Sequence, residues 1–210
     1  MRNSKEIQDY WNDVHSQNHI GALSGCQYLE TINFLKLKDH IKQNINVLEI
    51  GVGLGYVTKG LKTFGISVSA LDISQKALKR VENICEKTYI TDNVDFLPSN
   101  YFDIILCHNV IQHIPTFLLN IELYHIIRSL KTTGIFALEF ISSTIDEDTG
   151  SEEFLEFHPT FDQNIGCYCR SPKYLEKMIN KHSGVCELVY DCNTNISEVI
   201  TGCHVFHVTK

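Results

Sequence analysis

Between Val47 and Gly55 the chain reads Val-Leu-Glu-Ile-Gly-Val-Gly-Leu-Gly, and this stretch limits the fold more than any other. Residues of strand character run directly into glycines spaced two apart, and helical patterning resumes at Tyr56. Without a Cβ, glycine permits a tight turn and a close approach of backbone to ligand. Strand, glycine turn and helix make the first half of a βαβ unit, whose ligand lies beyond the strand's carboxyl end. Asp72 ends the next predicted strand, 21 residues after Gly51. An acid about 20 residues past the turn suits hydrogen bonding to ribose hydroxyls.

Two adenosine compounds compete for such a turn. A dinucleotide fingerprint is G-x-G-x-x-G, with its pyrophosphate on the helix N-terminus. This chain has G-x-G-x-G, with Glu49 two positions before Gly51. A carboxylate there repels a pyrophosphate but tolerates a sulfonium and an ammonium group. That favours S-adenosylmethionine, with product S-adenosylhomocysteine, over NAD.

The rest of the chain is consistent with an α/β domain. From Asn46 onward, strands alternate with helices, the sign of a mostly parallel sheet. Strands are predicted at 47–50, 68–73, 89–91, 102–107, 134–140, 186–191 and 203–208, seven in all. Helices are predicted at 56–64, at 75–86 with Ser74 as N-cap, and at 116–130 with Phe117, Leu118, Ile121, Tyr124 and Ile127 inward. A last helix follows Ser171 as N-cap, with Pro172 at its first position and Gly184 past its end. Before the sheet, residues 5–15 put Ile7, Tyr10, Trp11 and Val14 on one helical face, and 27–43 read as a second helix. Residues 1–44 are therefore expected to form a helical cap or lid on a single domain spanning 45–210. Between Ser142 and Cys169 the pattern is irregular, acidic early and aromatic later; long loops of this kind are often functional.

Bulk properties narrow the function. The 210 residues carry a net charge of −7 and no basic run, which disfavours a nucleic-acid partner. No apolar run approaches a membrane span, and Met1–Tyr10 lacks an apolar signal core, so a cytoplasmic protein is expected. Among the eight cysteines there is no C-x-x-C pair, which argues against a zinc ribbon or a disulfide framework. No acid cluster follows the fourth strand to hold magnesium, so no metal is expected. Oligomeric state is not legible.

The ordered set of motifs resembles the class I S-adenosylmethionine-dependent methyltransferases. Glu49–Gly55 is similar to their motif I, Leu71-Asp72-Ile73 to motif II, and Tyr101–Cys107 to their fourth strand. The segment from Leu130-Lys131 to Gly134 resembles the entry to the fifth. The resemblance covers residues 45–140 and implies a Rossmann-like fold with a seven-stranded, mostly parallel sheet of order 3-2-1-4-5-7-6 and helices on both faces. It also implies that Glu49, Gly51 and Gly53 face the methionine part of the cofactor and that Asp72, with Ile73, meets the ribose. Asp92, with Asn93 beside it, matches the acid at the adenine amino group. The segment is one residue longer than the family pattern, which leaves Asp95 as the alternative.

Methyl transfer from a sulfonium is an in-line displacement governed by alignment of donor and acceptor. A hydroxyl or ammonium acceptor must also lose a proton to a base. His113 and His108, beyond the fourth strand, are the candidates, and His108 would also face the cofactor. A His in a similar Val-Ile-x-His setting occurs in alpha-N-terminal protein methyltransferases, and Val110–His113 resembles it. Equally, His113, two residues before Pro115, would fix the loop through backbone bonds. Trp11, with Tyr10, would lie over the cofactor, where an aromatic face attracts a cation, or would pack the first helix onto the sheet; His15 and His19 would join such a lid. Phe157, His158, Phe161 and Tyr168 would shape an acceptor pocket or pack the loop down. The expected activity is methylation of O or N on a small-molecule acceptor. A protein or peptide N-methyltransferase and a non-catalytic binding module are the alternatives.

Overall fold

The computed structural model describes residues 4–17, 28–143, 153–155, 167–192 and 200–210. Asn46–Ile50 (β1) is buried from its second residue onward, because it pairs on both sides, in parallel with Ser67–Asp72 (β2) and with Phe102–Cys107 (β4). Lys87–Ile90 (β3) lies outside β2, and Leu130–Ser143 (β5) beyond β4. The chain returns antiparallel at that edge through Val185–Cys192 (β8) and Ile200–Thr209 (β9). The order β3-β2-β1-β4-β5-β9-β8 is the expected 3-2-1-4-5-7-6, with β8 and β9 as sixth and seventh strands. Strand order reverses between β1 and β4, so the crevice for a ligand opens beyond their carboxyl ends.

The crossover helices are Tyr56–Thr63 (α3), Gln75–Val81 (α4) and Thr116–Ser129 (α5). Before the sheet come Ser4–Gln17 (α1) and Tyr28–Phe34 (α2), and Pro172–Asn180 (α6) precedes β8. Both predicted caps form: the Ser74 side chain accepts from the Ala77 N–H, and Ser171 from that of Tyr174. One face of the sheet packs Phe102, Phe136, Phe140, Leu119 and Leu123 together; the other packs Leu35, Leu37, Leu61, Ile66 and Val205. No helix among the described residues is long and apolar enough to cross a membrane.

Four expectations need correction. The helix read over 27–43 stops at Phe34, because Lys36 adopts φ +56° and turns the chain. Its later apolar residues are buried all the same, with the Leu35 carbonyl bonded to His207 Nε2 at 2.8 Å. The helix read over 75–86 ends at Val81. On α5 the inward face is Leu119, Leu123, Ile126 and Ile127, while Phe117, Ile121 and Tyr124 are about half exposed. The helix carries two apolar stripes, and periodicity does not say which one meets the sheet. Finally, the irregular stretch before α6 contains Glu153–Leu155 (β6) and Cys167–Cys169 (β7), paired antiparallel as a separate small sheet.

Arg170, directly after β7, closes the fold around the crevice. It is 2% exposed. Its guanidinium donates to the carbonyls of Ile111 (2.9 Å) and Ile114 and to Thr116 Oγ1 (3.1 Å). One planar fork therefore ties the small sheet to the loop between β4 and α5 and to the start of α5. Arg170→Met should leave buried carbonyls without donors and cost roughly 1–3 kcal/mol for each group not rescued by water. Arg170→Lys should recover little of it, since an ammonium cannot span the same acceptors. Urea unfolding of the two variants measures both effects.

Candidate functional site

Three loops border the crevice, and each has a local reason for its shape. After β1 the backbone turns left-handed at Gly51 (φ +76°), Gly53 (φ +50°) and Gly55 (φ +75°). The Gly51 N–H donates to the Leu71 carbonyl at 2.8 Å, which holds the turn against β2. A Cβ on Gly51 would lie 2.2 Å from Val110 Cγ2, so the two loops meet where only hydrogen fits. After β2, Asp72 Oδ1 accepts from the Ser74 N–H (2.8 Å) and Oδ2 from the Gly53 N–H (3.3 Å). After β4, Asn109 takes φ +58° and its N–H donates to Glu139 Oε2 on β5.

Together they enclose a cavity of about 540 Å³, within the range of small-molecule sites. Its wall includes Glu49, Gly51, Gly53, Asp72 and Ile73 on one side and His108, Asn109, His113 and Glu122 on the other. Trp11 and His15 reach it from α1, and Thr31 from α2. Ile114, Leu118 and Ile121 make its apolar end. Among the described residues the lining contains no Lys or Arg.

Burial sets the electrostatics. Glu49 is 3% exposed, and its carboxyl accepts from the Thr58 hydroxyl, at the start of α3. Burial pushes its carboxyl up to about 8, against the pull of that hydroxyl. Asp72 is raised to about 6, again by burial, with the N–H groups of Ser74 and Gly53 opposing. His15 is lowered to about 4 by burial and by the Arg80 guanidinium. His108 is also lowered by burial, with the Glu139 charge pulling the other way. At neutral pH both imidazoles are unprotonated.

Of the residues singled out from sequence, Glu49, Gly51, Gly53, Asp72, Ile73, His108, His113 and Trp11 all line this one cavity. The Trp11 ring stands edge-on to His113 (centroids 5.1 Å) and stacks on His15 (5.9 Å). Asp92 and Asn93 sit in a 3-10 turn at Thr91–Phe96 whose Thr91 and Val94 line the cavity; their side chains lie outside the described set. Asp95 is exposed and away from the lining. Phe157, His158, Phe161 and His19 fall outside the described residues. Sequence reasoning missed Glu122, Glu139, Thr31 and Arg170. The acids did leave a signal, each a lone charge inside an apolar run, Ile121-Glu122-Leu123 and Leu138-Glu139-Phe140.

Comparisons with known proteins agree with this geometry. A family model described as a methyltransferase domain matches residues 22–183. A ubiquinone biosynthesis O-methyltransferase of Rickettsia bellii is 25% identical over 159 residues, covering 68% of this chain and 64% of that protein. The chain spans about half to two thirds of the length of the curated relatives it matches. An S-adenosylmethionine-dependent methyltransferase of Clostridium acetobutylicum superposes with TM-score 0.65 at 16% identity, covering 94% of this chain and 99% of that one. The 1,6-didemethyltoxoflavin N1-methyltransferase of Burkholderia thailandensis gives 0.64 at 14%, with 99% and 89% covered. A Rhodobacter sphaeroides chain assigned to the Zn-dependent alcohol dehydrogenases gives 0.71 at 12%, covering 100% and 99%. At such identities the likeness is one of fold.

The contact between Gly51 and Val110 yields a prediction. Gly51→Ala should destabilise the protein by roughly 1–3 kcal/mol through its left-handed backbone alone, with a steric cost added. Combining it with Val110→Ala should recover the steric part and leave the backbone part, which a double-variant unfolding cycle separates.

Proposed function

The chain belongs to the methyltransferase-domain family, and from that premise we propose that the cavity binds S-adenosylmethionine and directs its methyl group to O or N of a small-molecule acceptor. The observation that carries this reading is the pair of buried carboxylates, Glu49 and Asp72, flanking a left-handed glycine turn in a lining without described cations. A pyrophosphate would meet those acids unfavourably; a sulfonium and an ammonium group complete them.

In this reading Glu49 faces the donor's ammonium group, Gly51 and Gly53 give its backbone room, and Asp72 with Ile73 holds the ribose. Asp92 and Asn93, past β3, meet the adenine. When bound, the donor supplies a methyl group on a positive sulfur, open to in-line attack. Trp11 presents a ring face to that charge, and residues 1–44 act as a cap over it. The acceptor lies against His108, Asn109 and His113, its apolar body along Ile114, Leu118 and Ile121. His113 is the proposed base, with His108 second; a neutral imidazole takes the proton from a hydroxyl, or from an ammonium group so that the freed amine attacks.

Calorimetry with S-adenosylmethionine, S-adenosylhomocysteine and NAD tests the donor assignment. Binding of the first two and not the third is expected; NAD binding alone would sink the reading. Asp72→Ala should weaken S-adenosylhomocysteine binding by roughly 1–3 kcal/mol. His113→Ala should lower turnover more than acceptor affinity.

Glu49 makes binding depend on pH. It is held protonated up to about 8 without ligand, and a cationic donor favours its ionised form. Binding therefore releases a proton, and affinity should fall as pH drops from about 8 to 6, by at most roughly tenfold per unit. Glu49→Gln should flatten that profile. Calorimetry in buffers of different ionisation heat reads the proton directly.

A further inference from the structure

The methyl donor carries an anion as well as cations. Its α-carboxylate enters a cavity whose described lining offers Glu49, Asp72 and Glu122 but no Lys or Arg. Within that described lining the groups able to satisfy it are neutral donors, and a buried carboxylate without hydrogen bonds is too costly to hold. Among the described residues, two that line the cavity from the N-terminal helices carry a buried polar atom without a hydrogen-bond partner: His15 at Nδ1 and Thr31 at Oγ1. Both residues are nine-tenths or more buried, at 5% and 1% exposed. Native proteins rarely leave such atoms unsatisfied unless a ligand or water completes them.

We propose that His15 and Thr31, from the two N-terminal helices, hold the carboxylate of the donor's amino-acid end. The assignment rests on the donor reading above and adds a division of labour within it. Glu49 takes the ammonium group, and α1 and α2 together take the carboxylate.

Position supports the pairing. His15 Cε1 lies 3.9 Å from where a Cβ on Gly53 would be, so the ring leans over the glycine turn. Thr31 stands one turn beyond Tyr28, whose ring packs on Gly60 of α3, the helix that begins at that same turn. The anchoring of α1 is independent of any ligand. Gln8 Nε2 donates to the Ile73 carbonyl (3.2 Å), and Asn12 Oδ1 accepts from Ser74 Oγ (3.0 Å). Arg80 donates to the His15 carbonyl at 2.7 Å. His15 is thus held by its backbone and stacked on Trp11, and its buried Nδ1 has no hydrogen-bond partner among the described residues. Unprotonated, with the proton on Nδ1, the ring gives the carboxylate a hydrogen bond without bringing a second positive charge near the sulfonium.

The test compares two ligands that differ only at the amino-acid end. S-adenosylhomocysteine carries the carboxylate; 5′-methylthioadenosine keeps the adenosine and sulfur but lacks it. Thr31→Val and His15→Phe, which preserve shape and stacking, should each weaken S-adenosylhomocysteine by roughly tenfold or more. Their 5′-methylthioadenosine affinity should stay at the wild-type value. Thr31→Ser, which keeps the hydroxyl, should retain both. Equal losses for the two ligands would mean a structural role, and no loss would mean no contact; either overturns the assignment. Because Thr31→Val is nearly isosteric, it decides the matter even if His15→Phe fails to fold. Failure of the wild-type protein to bind either compound would instead remove the donor reading itself, and this assignment with it.

Discussion

A carboxylate taken out of water must be hydrogen bonded or must give up its charge. Three strands of this sheet carry acids at or near their carboxyl ends: Glu49 on β1, Asp72 on β2 and Glu139 on β5, none more than 7% exposed. Much of the crevice follows from satisfying them. Asp72 draws in the N–H of Gly53, so the turn after β1 is held by a side chain of the next strand. Glu139 draws in the N–H of Asn109, so the loop after β4 is held from β5. Each wall of the site is thus pinned by its neighbour's charge and not only by its own backbone.

The three acids are not equally satisfied. Asp72 receives two described backbone N–H bonds and rises only to about 6. Glu49 has the Thr58 hydroxyl and rises to about 8. A protein can fold around Glu49 as a neutral acid at little cost, yet the same group offers a charge to any cation that enters. On the proposed reading, folding and donor binding draw on one residue in two protonation states.

Much of this was legible in the residues themselves. β1 and β4 announce themselves as short apolar runs, and their motifs are local, which is why the sequence points to Glu49, Gly51, Gly53 and Asp72, and all four line the one cavity. α5 was misread because Phe117, Ile121 and Tyr124 form as good a stripe as the buried set; the choice between them depends on the sheet, a tertiary fact. The end of α2 was misread because Leu35 and Leu37 are apolar for burial, in a turn and not in a helix, with Ile41 partly buried against the same core. Thr31 and Arg170 left no local trace. Arg170 stands out by what it meets 54 residues away at Thr116, and Thr31 by a buried hydroxyl without a hydrogen-bond partner among the described residues.

The two loops that face each other across the crevice solve one problem in opposite ways. Both need left-handed backbone next to a strand end. After β1 the solution is glycine, because Val110 occupies the space a side chain would take. After β4 the solution is Asn109, one of the few residues that tolerates this conformation with a side chain; its Oδ1 accepts from Gln112 Nε2 at 3.4 Å. That bond stiffens the short turn bearing His113, and Arg170 grips the carbonyls on either side of it. The glycine turn can stay bare because its stiffness comes from outside, from Leu71, Asp72 and Val110. A bare turn leaves its backbone open to a ligand, whereas a turn braced by side chains presents chemical groups. On the proposed reading, the donor side and the acceptor side differ in which loop could dispense with a Cβ.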